Sequence, residues 1–272
     1  METKEKERDK KQKLRLQQFV SLAKVAAGAG PYVSEHMDDR SGPSLVFEAA
    51  RLGAPLQIAQ TLVDDRDASG LWVWVSATQL ANWLCSDAGT ALVQETATAI
   101  DLGCGPGLAS LCLARLGRRV VATDTDEDAL ALCKTNADKN GLTKRVHVQR
   151  VVWGDRELAA RAYEATGEAV PGRLLILGSD LLYDVGEFEA LEQTILELAR
   201  AHRTRGGGVD VLLAWAARGR GEGKFLRDVQ RELGAGTYSE VWSGSVSTRG
   251  LVGETGAHMN VVIGLLSVPV DG

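Results

Sequence analysis

The chain has 272 residues, 44% of them hydrophobic and 25% charged, which suits a folded globular body and excludes intrinsic disorder over most of its length. Its 31 Lys+Arg against 36 Asp+Glu give a net charge of -5, and seven basic against four acidic residues in the first sixteen leave -8 across the rest, so a generally basic nucleic-acid-binding surface is not expected. Four cysteines without a CxxC pair and four dispersed histidines offer no zinc spacing, and no apolar run reaches the ~18 residues of a membrane helix. The expectation is a reduced, metal-free, cytoplasmic protein without a membrane partner.

Residues 1–20 are rich in Lys and Glu and read as a solvated tail or frayed helix, with a basic arm for an acidic partner as the alternative. Residues 28–43 are turn-rich and read as a linker, so a charged segment 1–43 precedes one domain, 44–272. Apolar runs at 45–47 and 56–62, separated by Gly53-Ala54-Pro55, predict a β-hairpin. From Leu71 the chain enters a helix in which Ala77, Leu80, Ala81 and Leu84 recur at helical spacing. After a polar turn, 97–102 reads as a buried strand, and Leu108, Leu111, Cys112 and Leu116 stripe a helix. Residues 119–124 form a second strand, followed by a helix from Asp126 to about Lys139 that Asn140-Gly141 closes. Strands are predicted at 146–152, 173–181 and 209–214, with Phe188, Leu191, Ile195 and Leu198 striping a helix between the last two. This alternation predicts an α/β fold with a mostly parallel sheet and helices on both faces. Residues 236–242 and 259–268 have no helical pattern between them and predict a terminal antiparallel hairpin.

The run Asp101-Leu102-Gly103-Cys104-Gly105-Pro106-Gly107 sits where the first of these alternating strands turns into its helix, the expected ligand crevice of an open α/β sheet. Counting GxGxxG from Gly103 places Leu108 where the third glycine should stand, and Pro106 removes a backbone N–H. Both weigh against a dinucleotide. The next strand ends in Asp124, whose carboxylate suits the two hydroxyls of a ribose; the alternative is a helix cap. Cys104 has no His or cation beside it in sequence, so an activated thiolate is not expected.

The glycine run followed by Val120-Val121-Ala122-Thr123-Asp124 resembles the first two motifs of class I, seven-β-strand, S-adenosylmethionine-dependent methyltransferases. Leu71-Trp72-Val73-Trp74, Val152-Trp153-Gly154-Asp155 and Asp180-Leu181-Leu182-Tyr183 are similar to the Trp segment, WG turn and DxxY motif of the family 16 protein-lysine methyltransferases. Val75 departs from the acid or proline that often follows the Trp segment. The resemblance spans roughly 45–265 and implies a Rossmann-like sheet of seven strands and S-adenosyl-L-methionine as cofactor. It further implies that Asp101 meets the methionine amino group directly or through water and that Gly103, Gly105 and Gly107 pass under the cofactor. Asp124 would hold the ribose, Trp153 the adenine, with Gly154 giving room and Asp155 reaching the exocyclic amine. Trp74 would lie near the sulfonium. Asp180, at the methyl end of the cofactor, would hold an incoming amine, and Tyr183 would line its slot.

Such a transfer needs a neutral amine. Deprotonating a lysine near pH 7 costs about 4 kcal/mol, against the ~7–11 kcal/mol that orientation can supply. The expected partner is a protein presenting a lysine. Arginine, histidine or a small amine as acceptor, and a non-catalytic cofactor-binding adaptor, are the other readings. Target and oligomeric state are open.

Overall fold

Alternation along the central strands sets the architecture. Ala99, Leu175, Leu177, Leu212 and Ala214 belong to one layer of core, and Ile100, Leu174, Ile176, Val211 and Leu213, one residue out of step, to the other, as a two-residue side-chain period requires. The structure is a computed structural model that describes residues 33–38, 42–61, 70–167, 172–234, 236–247 and 258–269. The basic segment read as a tail or arm lies outside the described residues.

A small antiparallel sheet comprises β1 (Val33–Asp38), β2 (Gly42–Phe47) and β3 (Leu56–Ala59), in that order. The predicted hairpin is its β2–β3 half. Residues 33–38, read as linker, instead pair antiparallel with β2; their turn-rich flanks hid a short segment whose ladder partner lies ahead in the chain.

The main sheet contains β4 (Thr96–Leu102), β5 (Arg119–Asp124), β6 (Val146–Arg150), β7 (Arg173–Ser179), β8 (Gly208–Ala216), β9 (Thr237–Ser247) and β10 (His258–Val268). Their order is β6-β5-β4-β7-β8-β10-β9. The first five are parallel, and β10 runs antiparallel to both β8 and β9. The expected fold class and terminal hairpin are both present. Every residue of β8 is buried, as a strand covered on both faces requires. Arg173 and Ser267 both hydrogen-bond the buried Asp210 carboxylate, fastening β7 and β10 to β8 at one end.

Seven helices flank the strands among the described residues: α1 (Val75–Leu84), α2 (Asp87–Glu95), α3 (Leu108–Arg115), α4 (Glu127–Lys139), α5 (Arg156–Glu164), α6 (Phe188–Arg203) and α7 (Glu222–Leu233). α1 and α3 pack in the first layer, α5 to α7 in the second. α2 replaces the expected polar turn. Its start is capped by Ser86, whose hydroxyl accepts from the Gly89 N–H at 3.1 Å, and Val93 is its one buried apolar side chain, too little for a visible stripe.

β3 is docked on α4 by two amide side chains. Asn136 accepts from the Ala59 N–H (2.8 Å) and donates to the Ala59 carbonyl (2.9 Å); Asn140 does the same for Gln57, at 2.9 and 2.7 Å. Residues i and i+4 of a helix and i and i+2 of a strand have similar spacing, so the asparagines act as a strand edge. Asn136, fully buried, also donates to the Pro106 carbonyl at 2.8 Å. Asn136→Ala strands three backbone groups and should lower unfolding stability by about 2–4 kcal/mol in urea titrations, clearly more than Asn140→Ala.

Candidate active site

Strand β4 neighbours both β5 and β7, so the connections leaving it diverge and open a crevice at the carboxyl ends of the strands. A cavity of about 710 Å³ lies there, within the size range of small-molecule sites. Its walls come from the segment before α1, the glycine loop after β4, and the chain just beyond β5, β6, β7 and β8.

The glycine loop has a left-handed backbone, with φ of 58° at Gly103 and 52° at Gly105. A Cβ on Gly103 would lie 2.6 Å from Leu181 Cδ2, and one on Gly105 would lie 2.9 Å from the Gly70 carbonyl oxygen. Only glycine meets both demands. Asp124 holds the loop in place: one carboxylate oxygen accepts from the Gly105 N–H at 2.9 Å and the other from the Asp126 N–H at 3.1 Å. The cap of α4 is Asp126, which accepts from the Asp128 N–H. Burial pushes the Asp124 carboxyl above its ordinary range, although backbone donors, Gly105 first among them, act in the opposite sense.

Gly103, Gly105, Asp124, Trp74, Trp153, Asp180 and Tyr183 all line the cavity. Three of the expected residues lie outside the lining. Asp101 is buried behind the loop and absent from the lining; its carboxylate accepts from the Ser110 hydroxyl at 2.6 Å, and burial pushes it up to about 7. Gly107 is also outside the lining and packs against Cys133, which a Cβ there would meet at 2.5 Å. Asp155 caps α5, accepting from the N–H groups of Glu157 and Leu158, and lies outside the lining. The room beside Gly154 faces α6, where its N–H donates to Thr194. The Cys104 thiol is pushed up by its hydrogen bond with Cys133 and by burial.

At the other end, Asp180 has the left-handed backbone (φ 56°) and donates its N–H to the Ala214 carbonyl at 2.7 Å. Its carboxylate is gripped by both terminal nitrogens of Arg218, at 3.0 and 3.1 Å. Sequence reading gave Asp180 no such partner. Tyr183 is 51% exposed beside it; its hydroxyl is pushed up by burial and by neighbouring carboxylates, chiefly Asp184 and Glu187.

The sequence reading missed Arg218 and Trp72, both in the lining. The rings of Trp72 and Trp74 lie 5.3 Å apart at 54°. Arg218 lies four positions beyond the predicted strand at 209–214, on the same sheet edge as the glycine loop, and that placement is the one sequence signal for it. Among the described lining residues, Asp124, Asp126, Asp180, Asp184 and Glu187 outweigh Arg218, so the cavity favours cations.

A family model described as "Lysine methyltransferase" matches residues 53–232. The ribosomal protein L11 methyltransferase of Campylobacter fetus is 48% identical over 50 residues, 18% of each chain. Human methyltransferase-like protein 22 is 24% identical over 169 residues, 58% of this chain and 41% of that protein. The chain thus spans well under half the length of these relatives. A crystal structure of an S-adenosylmethionine-dependent methyltransferase from Agrobacterium tumefaciens shares the fold, at a TM-score of 0.52 and 16% identity, over 83% of this chain and 70% of that one. The cavity's features fit S-adenosylmethionine: a loop that admits no side chain, a carboxylate at the end of β5, indoles at both walls and a surplus of acid for a cationic sulfonium.

The folded Asp101 carboxyl stays protonated where an unfolded one has ionised. Its stabilising effect is therefore complete below about pH 4 and is lost as pH rises towards 7. Urea titrations across this window should show Asp101→Asn losing less stability with rising pH than the wild type.

Proposed function

The chain belongs to the lysine methyltransferase family of S-adenosylmethionine-dependent enzymes, and on that premise we propose that it transfers a methyl group to a lysine side chain of a cytoplasmic protein. The observation carrying this reading is the convergence of the glycine loop and Asp124 with Asp180 and Tyr183 in one acidic cavity. A protein acceptor is supported by the name of the ribosomal protein L11 methyltransferase, to which part of the chain is similar.

The Gly103–Gly105 backbone would form the floor under the cofactor, and Asp124 would take the ribose hydroxyls with the lone pairs that the Gly105 and Asp126 N–H groups leave open. Trp153 would abut the adenine, and Trp74 and Trp72, which line the cavity side by side, would border the sulfonium end. Asp101 acts from behind the loop, keeping the start of α3 in place through Ser110. When bound, S-adenosylmethionine supplies an electrophilic methyl: an N–C bond forms from the amine lone pair, the S–C bond breaks with its electrons left on sulfur, and the product ammonium loses a proton to solvent. Asp180 accepts a hydrogen bond from the amine and aims its lone pair. Tyr183, half exposed at the mouth, lines the path of the lysine stem.

S-adenosylhomocysteine at millimolar concentration should raise the melting temperature of the wild type, and Asp124→Ala should abolish that rise; no rise in the wild type would remove the cofactor reading. In a lysate supplied with tritiated S-adenosylmethionine, the enzyme should place label in protein recoverable as methyl-lysine. Asp180→Ala should cut that label by about 100-fold or more, of the order of lost transition-state positioning, while keeping the thermal shift. Label confined to small molecules would contradict the protein acceptor, and undiminished label with Asp180→Ala would contradict its role.

A further inference from the structure

Asp180 presents a difficulty as the group that receives the amine. A lone carboxylate stabilises an ammonium over a neutral amine, and an opposite charge within ~4–6 Å raises an amine's pKa by about 1–3 units. Such an acceptor would hold its substrate in the form that cannot react.

The structure supplies a compensating charge. Arg218 spans both carboxylate oxygens of Asp180, with side chains 23% and 9% exposed respectively. Oδ1 also faces the Ala216 N–H at 3.4 Å, whereas among the described residues Oδ2 accepts from Arg218 alone. A carboxylate oxygen has room for a second donor. Arg218 itself is fixed. Glu222, 3% exposed, accepts from the Arg218 N–H with one oxygen and from the Arg220 N–H with the other, both at 2.8 Å. Burial works against the Glu222 charge, but backbone donors prevail and hold its carboxyl below the ordinary range. The turn that carries the guanidinium is thereby tied to the first residue of α7.

We propose that Arg218 is a positioning residue for methyl transfer: it cancels the charge of Asp180 while leaving Oδ2 able to accept a hydrogen bond, so the acceptor amine is held uncharged and aimed. This rests on the lysine reading above. The other charged or titratable groups around the pair are Tyr183, Asp184 and Glu187 beyond β7, Asp124 and Asp126 beyond β5, and Arg220 and Glu222 beyond β8. Arg220 donates to the Tyr183 carbonyl at 3.1 Å. The Asp184 and Glu187 carboxylates draw a lysine towards the mouth, while Arg218 meets it at the carboxylate that orients it.

The test is the pH dependence of tritium transfer into methyl-lysine of lysate protein, with S-adenosylhomocysteine binding measured alongside. The wild-type rate should rise with pH as the bound amine loses its proton. In Arg218→Gln the midpoint of that rise should move up by about one unit or more, with cofactor binding retained. Arg218→Lys, which keeps the charge, should stay near the wild-type midpoint. Asp180→Asn leaves the guanidinium uncompensated and should move the midpoint of its residual activity down. A guanidinium that merely braces the turn would change the rate without moving the midpoint. Equal midpoints in wild type and Arg218→Gln, or equal shifts in Arg218→Gln and Arg218→Lys, would overturn the proposal and leave the lysine reading standing. Label absent from methyl-lysine in the wild type would overturn both. Should Arg218→Gln fail to bind S-adenosylhomocysteine, the Asp180→Asn midpoint decides: a downward shift supports the proposal, and none overturns it.

Discussion

The tight turn after β4 is the constraint on which the rest of the site depends. It has to leave the central strand, pass between Leu181 and Cys133, and enter α3, all without side-chain bulk at Gly103, Gly105 or Gly107. Its polar groups are consumed by fixed partners: Gly105 donates to Asp124, Cys104 donates its N–H to the Thr123 carbonyl, and the Pro106 carbonyl accepts from Asn136. Asn136 also carries β3. A single buried amide therefore connects the small antiparallel sheet to the loop that shapes the cavity. Stability and binding are coupled at that residue.

Charge placement follows a similar economy. The acidity of the chain outside its first sixteen residues is not gathered wholesale at the cavity. Asp101 is pushed up to about 7 by burial behind the loop, and Asp155 is occupied by a helix start. Of the five acids among the described lining residues, Asp126 caps α4, and Asp124 and Asp180 are engaged in turn, the first by backbone donors and the second by a guanidinium. Both carboxylates are thereby oriented before any ligand arrives, which lowers the entropic cost of binding. The one paired with a cation is the one beside Tyr183, at the end assigned to the amine.

Much of this was legible in the sequence. Strand β5 was read to the residue, and the stripes of α3 and α6 lay in the spacing of Leu108, Leu111, Leu191 and Ile195. The glycine loop and Asp124 were legible from their place at strand ends, whereas Trp74, Trp153, Asp180 and Tyr183 came from the resemblance to family motifs; all of them border the cavity. What escaped depended on partners distant in sequence. Arg218 meets Asp180 across 38 positions and Asn136 meets Ala59 across 77, pairings that no local pattern encodes. Strand β1 acquires its form only from β2. The partner of Asp101 escaped for the same reason: a carboxylate ending a strand next to a glycine loop reads as a ligand group, and its hydrogen bond from Ser110 depends on the helix that follows the loop.

The most direct test is a crystal structure of the protein with S-adenosylhomocysteine. The ligand should lie across the carboxyl ends of β4 and β5, its ribose hydroxyls on Asp124, its adenine against Trp153 and its sulfur towards Asp180 and Arg218. A ligand seated away from the glycine loop, or a ribose out of reach of Asp124, would contradict the account.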